Sequence, residues 1–317
     1  MKSIHRRLHF LILCAALVAT PSMAADDPVS AVTAGEPVDA DHVHCESCDG
    51  WNQAQAPFNI FGNTWYVGTA GLSSILITSP GGHVLLDGAL PQSAAQIQAN
   101  IVALGFRIED VKLILNSHEH WDHAGGIAAL QRASGAEVAA SPAAARVLIA
   151  GTVGSDDPQF DAASPVTIPK VPEVTEVADL GTVKVGDIVV KAYATPGHTP
   201  GSTTWSWTSC ETDDCMQVVY ADSLNPVSLG DFRFSGGNGH PDMSEQFAGS
   251  IARVAALPCD IVLSVHPGMT DTFKKLSART EGKNTFVNPS ACSAYASAAQ
   301  VKLRARLEEE ARPRTDE

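Results

Sequence analysis

Residues 118–123 read His-Glu-His-Trp-Asp-His, which places four candidate metal ligands within six positions. In an extended loop alternate side chains point to one side, so His118 and His120 can reach one ion together. Once the chain bends into a helix, Asp122 and His123 can reach a second. Imidazole nitrogen and carboxylate oxygen suit a borderline-soft ion such as zinc, and a catalytic site keeps one position for water. Packing needs no such density of imidazoles. Each ion still wants another protein ligand, and two more histidines stand in suitable places. His198 lies in the tight turn Thr195-Pro196-Gly197-His198-Thr199-Pro200-Gly201, and His266 opens His266-Pro267-Gly268. An isolated histidine is usually a surface or core residue without a role; beside the 118–123 cluster both become ligand candidates.

These residues need a frame that brings distant turns together. Residues 64–67, 73–78 and 83–86 read as strands separated by Gly-rich or Pro-Gly turns, and 91–105 as a helix with Ile97, Ile101, Val102 and Leu104 at helical spacing. The apolar, β-branched run 111–115 reads as a buried strand ending at Ser117, so 118–123 sits on a loop at a strand's end, before a helix over 124–134. A strand over 137–140 and a helix over 142–149 follow. Residues 151–180 are loop-rich, a length more often functional than idle. Strands resume at 182–185, 188–194, 203–208 and 216–220, then a helix at 244–257, a strand at 261–265 and a closing charged helix at 293–310. The alternation is that of an α/β protein.

The N-terminus carries Lys2, Arg6 and Arg7, an apolar run over 10–19 and then Pro21-Ser22-Met23-Ala24, the pattern of a secretory signal peptide cleaved after Ala24. The run is too short to serve as a membrane anchor. Cys14 leaves with it, and six cysteines remain in an exported, periplasmic chain. An even count in an oxidising compartment reads as disulfides, with fifteen pairings open. Cys210 and Cys215 flank a polar turn, a natural hairpin loop; Cys45–Cys48 and Cys259–Cys292 would complete the set. His42 and His44 beside Cys45 and Cys48 have the alternative of a small separate metal site, against which the disulfide is preferred. A formal net charge of -14 argues against nucleic acid, whose binding draws on clustered Lys and Arg. No basic cluster follows the signal to hold an anionic membrane.

With these residues assembled, the sequence resembles the metallo-β-lactamase superfamily, whose HxHxDH motif matches His118, His120, Asp122 and His123. Within it the chain looks like the subclass B3 enzymes. The resemblance implies a single-domain, four-layer αβ/βα sandwich and two zinc ions per chain, one on His118, His120 and His198, the other on Asp122, His123 and His266. It also implies hydrolysis of the β-lactam amide of penicillins, cephalosporins and carbapenems, which confers antibiotic resistance. The nucleophile would be zinc-held hydroxide, with Asp122 as the catalytic carboxylate that orients it. The implied division is a signal at 1–24, a flexible mature N-terminus and extension at 25–57, the catalytic domain at 58–300, and a helix end and tail at 301–317, in a monomer.

In Tyr220-Ala221-Asp222-Ser223-Leu224, Asp222 resembles the bridging carboxylate of glyoxalase-II-like thioesterases, whereas Ser223 fits the subclass B3 pattern. Asp222 is therefore expected to support the metal-bearing loops rather than bind metal. Ser223 and Asn225 are expected to meet the substrate carboxylate, Gln159 to make a polar lid contact, and Trp51 and Phe160 to form apolar walls. The alternatives are another exported hydrolase of the same fold, a lactonase or thioesterase, and, ranked last, a zinc-binding protein without catalysis.

Overall fold

The structure, a computed structural model, describes residues 42–163 and 167–312. The expected signal peptide and the last five residues lie outside the described residues. Among those described, no helix is long and apolar enough to cross a membrane.

Two sheets form the centre. The first runs, in order, β1 (Phe58–Phe61), β2 (Thr64–Tyr66), β3 (Ile75–Ile77), β4 (His83–Leu86), β5 (Val111–Leu115), β6 (Glu137–Ala140) and β7 (Thr175–Glu176). Strands β1 to β4 pair antiparallel through short turns, and β4 to β7 pair parallel. The second holds β8 (Thr182–Val185), β9 (Ile188–Ala194), β10 (Thr203–Glu211) and β11 (Asp214–Ala221) as antiparallel neighbours. After the small hairpin of β12 (Ser235–Gly237) and β13 (His240–Asp242), β14 (Ile261–Ser264) returns to lie parallel to β11.

Alternation along the strands assigns each face. Leu76, Leu85 and Ile114 pack on the helical side of the first sheet, while Ile75, Ile77, Val84, Leu86 and Leu115 face the second sheet. Likewise Val218, Tyr220, Ile261 and Leu263 point between the sheets, and Val219, Ala221 and Val262 point outward. Helices cover both outer faces: α2 (Ala94–Ala103), α4 (Ile127–Ser134) and α5 (Pro142–Ala150) on the first, α6 (Ser244–Ala255) and α8 (Ala291–Glu310) on the second. The result is the expected four-layer sandwich. Two shorter helices, α1 (Cys48–Trp51) and α3 (Trp121–Ala124), lie near the cleft, and α7 (Thr272–Ala278) precedes α8.

Several expectations need correction. The helix expected over 124–134 is two, α3 and α4, broken at Gly125-Gly126. A Cβ on Gly126 would lie 2.2 Å from the Gly88 carbonyl oxygen, so the break is where the chain passes against the β4 turn. Within the segment set apart at 25–57, the chain from Cys45 onward packs against the domain: Cys48 is buried, and the Trp51 carbonyl accepts from Gly71 N at 3.0 Å. The boundary drawn at residue 300 falls inside α8. Strand β1, helices α1 and α7, and the β12–β13 hairpin escaped the sequence reading because each is short and lacks a clear period.

Disulfides join Cys45 to Cys48, Cys210 to Cys215 across the β10–β11 turn, and Cys259 to Cys292, which ties the approach to β14 to the start of α8. At its far end α8 grips the hairpin. The buried Glu310 carboxylate accepts from Phe234 N at 2.9 Å and Ser235 N at 2.8 Å, and from Arg306 Nε at 2.8 Å. Glu310→Ala leaves those two backbone donors without partners and should lower unfolding free energy by about 2 kcal/mol in urea denaturation. An unchanged midpoint would show that the grip contributes nothing.

Candidate metal centre

The cluster residues converge because the loops that carry them leave the same edge of both sheets, beyond the C-terminal ends of β4, β5, β11 and β14 and at the β9–β10 turn. Backbone bonds tie these loops to one another. Gly88 N donates to the His123 carbonyl at 2.8 Å, Thr203 N to Ser117 O at 2.8 Å, and Ser73 N to Val265 O at 2.9 Å. Beneath them lies Asp87, fully buried, with φ of 59°. Its carboxylate accepts from Ser117 N at 2.7 Å, Ser117 Oγ at 2.6 Å and Tyr220 OH at 2.8 Å, which joins both sheets to the start of the His-rich segment. Burial pushes Asp87 up to about 7 despite those bonds.

Four of the five histidines follow one rule: one ring nitrogen is held by the protein. His118 Nδ1 is 2.6 Å from Asp222 Oδ1, and His120 Nε2 is 3.0 and 3.1 Å from the two oxygens of Asp157. His198 Nδ1 donates to the Asn225 carbonyl at 2.8 Å, and His266 Nδ1 to the Gly71 carbonyl at 3.1 Å. In the fifth, His123, Nδ1 is buried without a partner and Nε2 faces only the Asp122 carboxylate, while His118 Nε2 and Asp222 Oδ2 are also buried and unpartnered. Buried polar atoms without partners are costly, and an ion among them would satisfy them. Ligand atoms of His118, His120 and His198 fall within 4.8 Å of one another, and so do those of His118, Asp122 and His123. His266 Nε2 stands 3.4 Å from Asp122 Oδ2, while His123 Nε2 is 3.1 Å from the same oxygen. The donor set thus fits metal, with His118 reaching toward both groups.

Asp122 and His123 lie on the helical turn α3, where the chain bends into a helix earlier than the helix expected from residue 124, and His120 precedes it with extended backbone. The extended backbone aims His120 toward His118 and His198, and the turn swings the next two ligands to the other side. Electrostatics keep most of the rings ready to ligate. Burial, with the neighbouring imidazoles of His123 and His120, holds His118 well below the ordinary histidine range. Burial does the same for His198, and more mildly for His123. Such rings are neutral at neutral pH, the form a metal takes. His120 differs: burial opposes its protonation, but Asp157, by hydrogen bond and by charge, carries it up to about 9. Burial would raise Asp122, yet His123 and His266 hold it well below the carboxylate range. Burial pushes Asp222 up to about 6, against the pull of His198.

The centre floors a cleft of about 500 Å³. Trp51, Gln159, Ser223 and Asn225 line it as expected, but Phe160 does not. The turn in which Phe160 N donates to Asp157 O at 3.0 Å carries Gln159 into the cleft and leaves Phe160 outside its lining. Trp51 packs 5.2 Å from the His266 ring and 6.0 Å from Trp121. Val147, Val153, Ile168, Val227, Leu229 and Met269 supply further apolar wall, and among the described residues no Lys or Arg lines the cleft.

Residues 68–210 match the family model described as the metallo-beta-lactamase superfamily. Over the fold, the chain superposes on Rm3 metallo-beta-lactamase with a TM-score of 0.82 and 50% identity, covering 85% of this chain and 100% of that one. The chain belongs to the metallo-β-lactamase superfamily. MEM-A1, a subclass B3 metallo-beta-lactamase from a soil metagenome library, is similar at 46% identity and a TM-score of 0.80, over 82% of this chain and 98% of that chain. A hydroxyacylglutathione hydrolase of Anaeromyxobacter dehalogenans (strain 2CP-C) is 30% identical over 193 residues, 61% of this chain and 59% of that protein's length.

Within this metallo-β-lactamase site, three supporting acids escaped the sequence reading. Glu119, buried between the ligand candidates His118 and His120, accepts from Thr199 Oγ1 at 2.8 Å and Gly201 N at 3.0 Å, pinning the His198 turn to the His118–His120 segment. A Cβ at residue 201 would sit 2.3 Å from Glu119 Oε2, so only glycine lets this carboxylate in. Burial pushes Glu119 up to about 7. The signal available for Asp87 was an acid directly after the apolar run of β4; Asp157 had only its place in the long loop. Because metal binds the folded centre and not the unfolded chain, adding zinc to chelator-stripped protein should raise its melting temperature, by about 4 kcal/mol of stability at a thousandfold excess over Kd. A melting curve indifferent to zinc would contradict the metal reading.

Proposed function

We propose that this chain is an exported, zinc-dependent β-lactamase, active as a monomer on penicillins, cephalosporins and carbapenems. The observation that carries the reading is a cleft lined by Asp122, His120, His198 and His266, grouped with the buried His118 and His123, on a chain matching Rm3 metallo-beta-lactamase over that protein's whole length. His118, His120 and His198 would hold one zinc, and Asp122, His123 and His266 the other. Zinc supplies, when bound, Lewis-acid polarisation of a carbonyl and a water acidified enough to attack near neutral pH.

The chain's own residues do the rest. Asp122, ionised between His123 and His266, orients the attacking water. Ser223 and Asn225 hydrogen-bond the carboxylate of the drug; with no Lys or Arg among the described lining residues, neutral donors hold that anion. Gln159 offers an amide from the long loop, and Trp51 with Val227 and Leu229 covers the apolar substituents and limits bulk water. The attacking oxygen becomes part of the new carboxylate, the acyl C–N bond breaks, and the ring nitrogen takes up a proton. Export is supported by the three disulfides, which persist in an oxidising compartment.

The thioesterase alternative rests on the hydroxyacylglutathione hydrolase match and on Asp222. Against it, Asp222 Oδ1 is engaged by His118 Nδ1 and Ser223 stands in the cleft. Nitrocefin, imipenem, a thioester and a lactone offered to the purified protein decide the matter. Both β-lactams should be hydrolysed, with activity lost in chelator and regained with zinc. Faster turnover of the thioester or the lactone than of either β-lactam would overturn the proposal.

A further inference from the structure

Asp157 is buried at 3% exposure, yet it follows Gly154, Ser155 and Asp156, all exposed. A carboxylate drawn inward from an exposed loop loses hydration that only strong partners replace. Its partners are specific. Both oxygens approach His120 Nε2, at 3.1 and 3.0 Å, and Oδ1 also accepts from Gln159 N at 2.7 Å. The Asp157 carbonyl accepts from Phe160 N at 3.0 Å, and the next carbonyl, Pro158 O, accepts from Leu229 N at 2.9 Å. One side chain therefore touches a metal-ligand candidate and the turn that puts Gln159 in the cleft, and its neighbour fastens that turn to the opposite wall.

We infer that Asp157 is a positioning residue with two linked tasks: it fixes the ring plane of His120 so that Nδ1 is the nitrogen left for metal, and it sets the turn that presents Gln159 to substrate. The inference rests on the proposed metal centre. A histidine with one nitrogen fastened has its tautomer and orientation chosen before metal arrives, and losing such a partner typically costs about 10- to 100-fold in metal affinity. The Gln159 N–H bond fixes the backbone of a loop residue, so its loss moves a substrate contact; the Gln159 side-chain amide nitrogen also stands 3.5 Å from His120 Nδ1, which links the two tasks.

The test is zinc competition against a chromophoric chelator in the wild type, Asp157→Ala, Asp157→Asn, His120→Ala and the double variant His120→Ala/Asp157→Ala. Asp157→Ala should weaken one zinc equilibrium by about 10- to 100-fold and leave the other unchanged. Asp157→Asn, which keeps an acceptor oxygen and the shape, should recover part of the loss. In the His120→Ala background, removal of Asp157 should cost nothing further, because the interaction it served is already gone. At saturating zinc, Asp157→Ala should regain kcat for nitrocefin while KM stays raised, as in Gln159→Ala. An additive loss in the double variant, equal weakening of both equilibria with a lower melting temperature of the metal-free protein, or an unchanged KM at saturating zinc would overturn the inference. The metal readouts stand even if no β-lactam is hydrolysed, and a wild type that binds no zinc would fail the metal centre itself.

Discussion

An imidazole has two ring nitrogens, and a metal can use only one of them while the other must go somewhere. In this protein the somewhere is specified for four rings: Asp222 for His118, Asp157 for His120, and the carbonyls of Asn225 and Gly71 for His198 and His266. Each outer bond chooses the tautomer and the plane of its ring, and so sets which nitrogen faces the centre. The outer acceptors come from three separate segments of the chain: the Gly71 turn, the long loop at Asp157, and residues 222–225 after β11. The arrangement therefore exists only when both sheets, the long loop and the Gly71 turn are in place.

That dependence explains the buried acids around the centre. Asp87, Glu119, Asp157 and Asp222 are each almost wholly inaccessible, an expensive condition for carboxylates unless hydrogen bonds replace water. Asp87 joins Ser117 at the end of β5 to Tyr220 near the end of β11, and Glu119 joins the His-rich segment to the His198 turn. Removing either leaves unpaired donors and frees two ligand-bearing loops from each other. The layers beneath supply the rigidity: the faces of β3, β4, β11 and β14 alternate strictly between the inter-sheet core and the helices outside. A site built on the ends of such strands inherits their precision.

The strands and most helices were legible because their periods are strong, as at 83–86, 111–115 and 188–194, where β4, β5 and β9 lie. Ligand candidates were legible because dense histidines have no packing purpose. What stayed hidden depends on long-range pairing. Nothing local distinguishes Asp157 from Asp156, or Glu119 from a solvated acid, until His120 and Gly201 are seen beside them. Phe160 was misplaced for the same reason: one residue along a tight turn decides which side chain enters a cleft. From Cys45 onward the Cys45–Cys48 bridge and the docking of Trp51 against the Gly71 turn hold the chain to the domain, a placement that composition alone does not reveal. The family resemblance supplied the pairing of loops that local patterns lack.

The most direct measurement is anomalous diffraction at the zinc edge from crystals of the zinc-loaded protein, because it locates the ions and their ligands without reference to activity. Two peaks are expected, one at about 2.0–2.1 Å from nitrogens of His118, His120 and His198, the other bound by Asp122, His123 and His266. Each histidine with a named outer partner should keep that bond. A centre with no anomalous peak, or one in which the Asp222 carboxylate has left His118 to bind the metal, would contradict this arrangement.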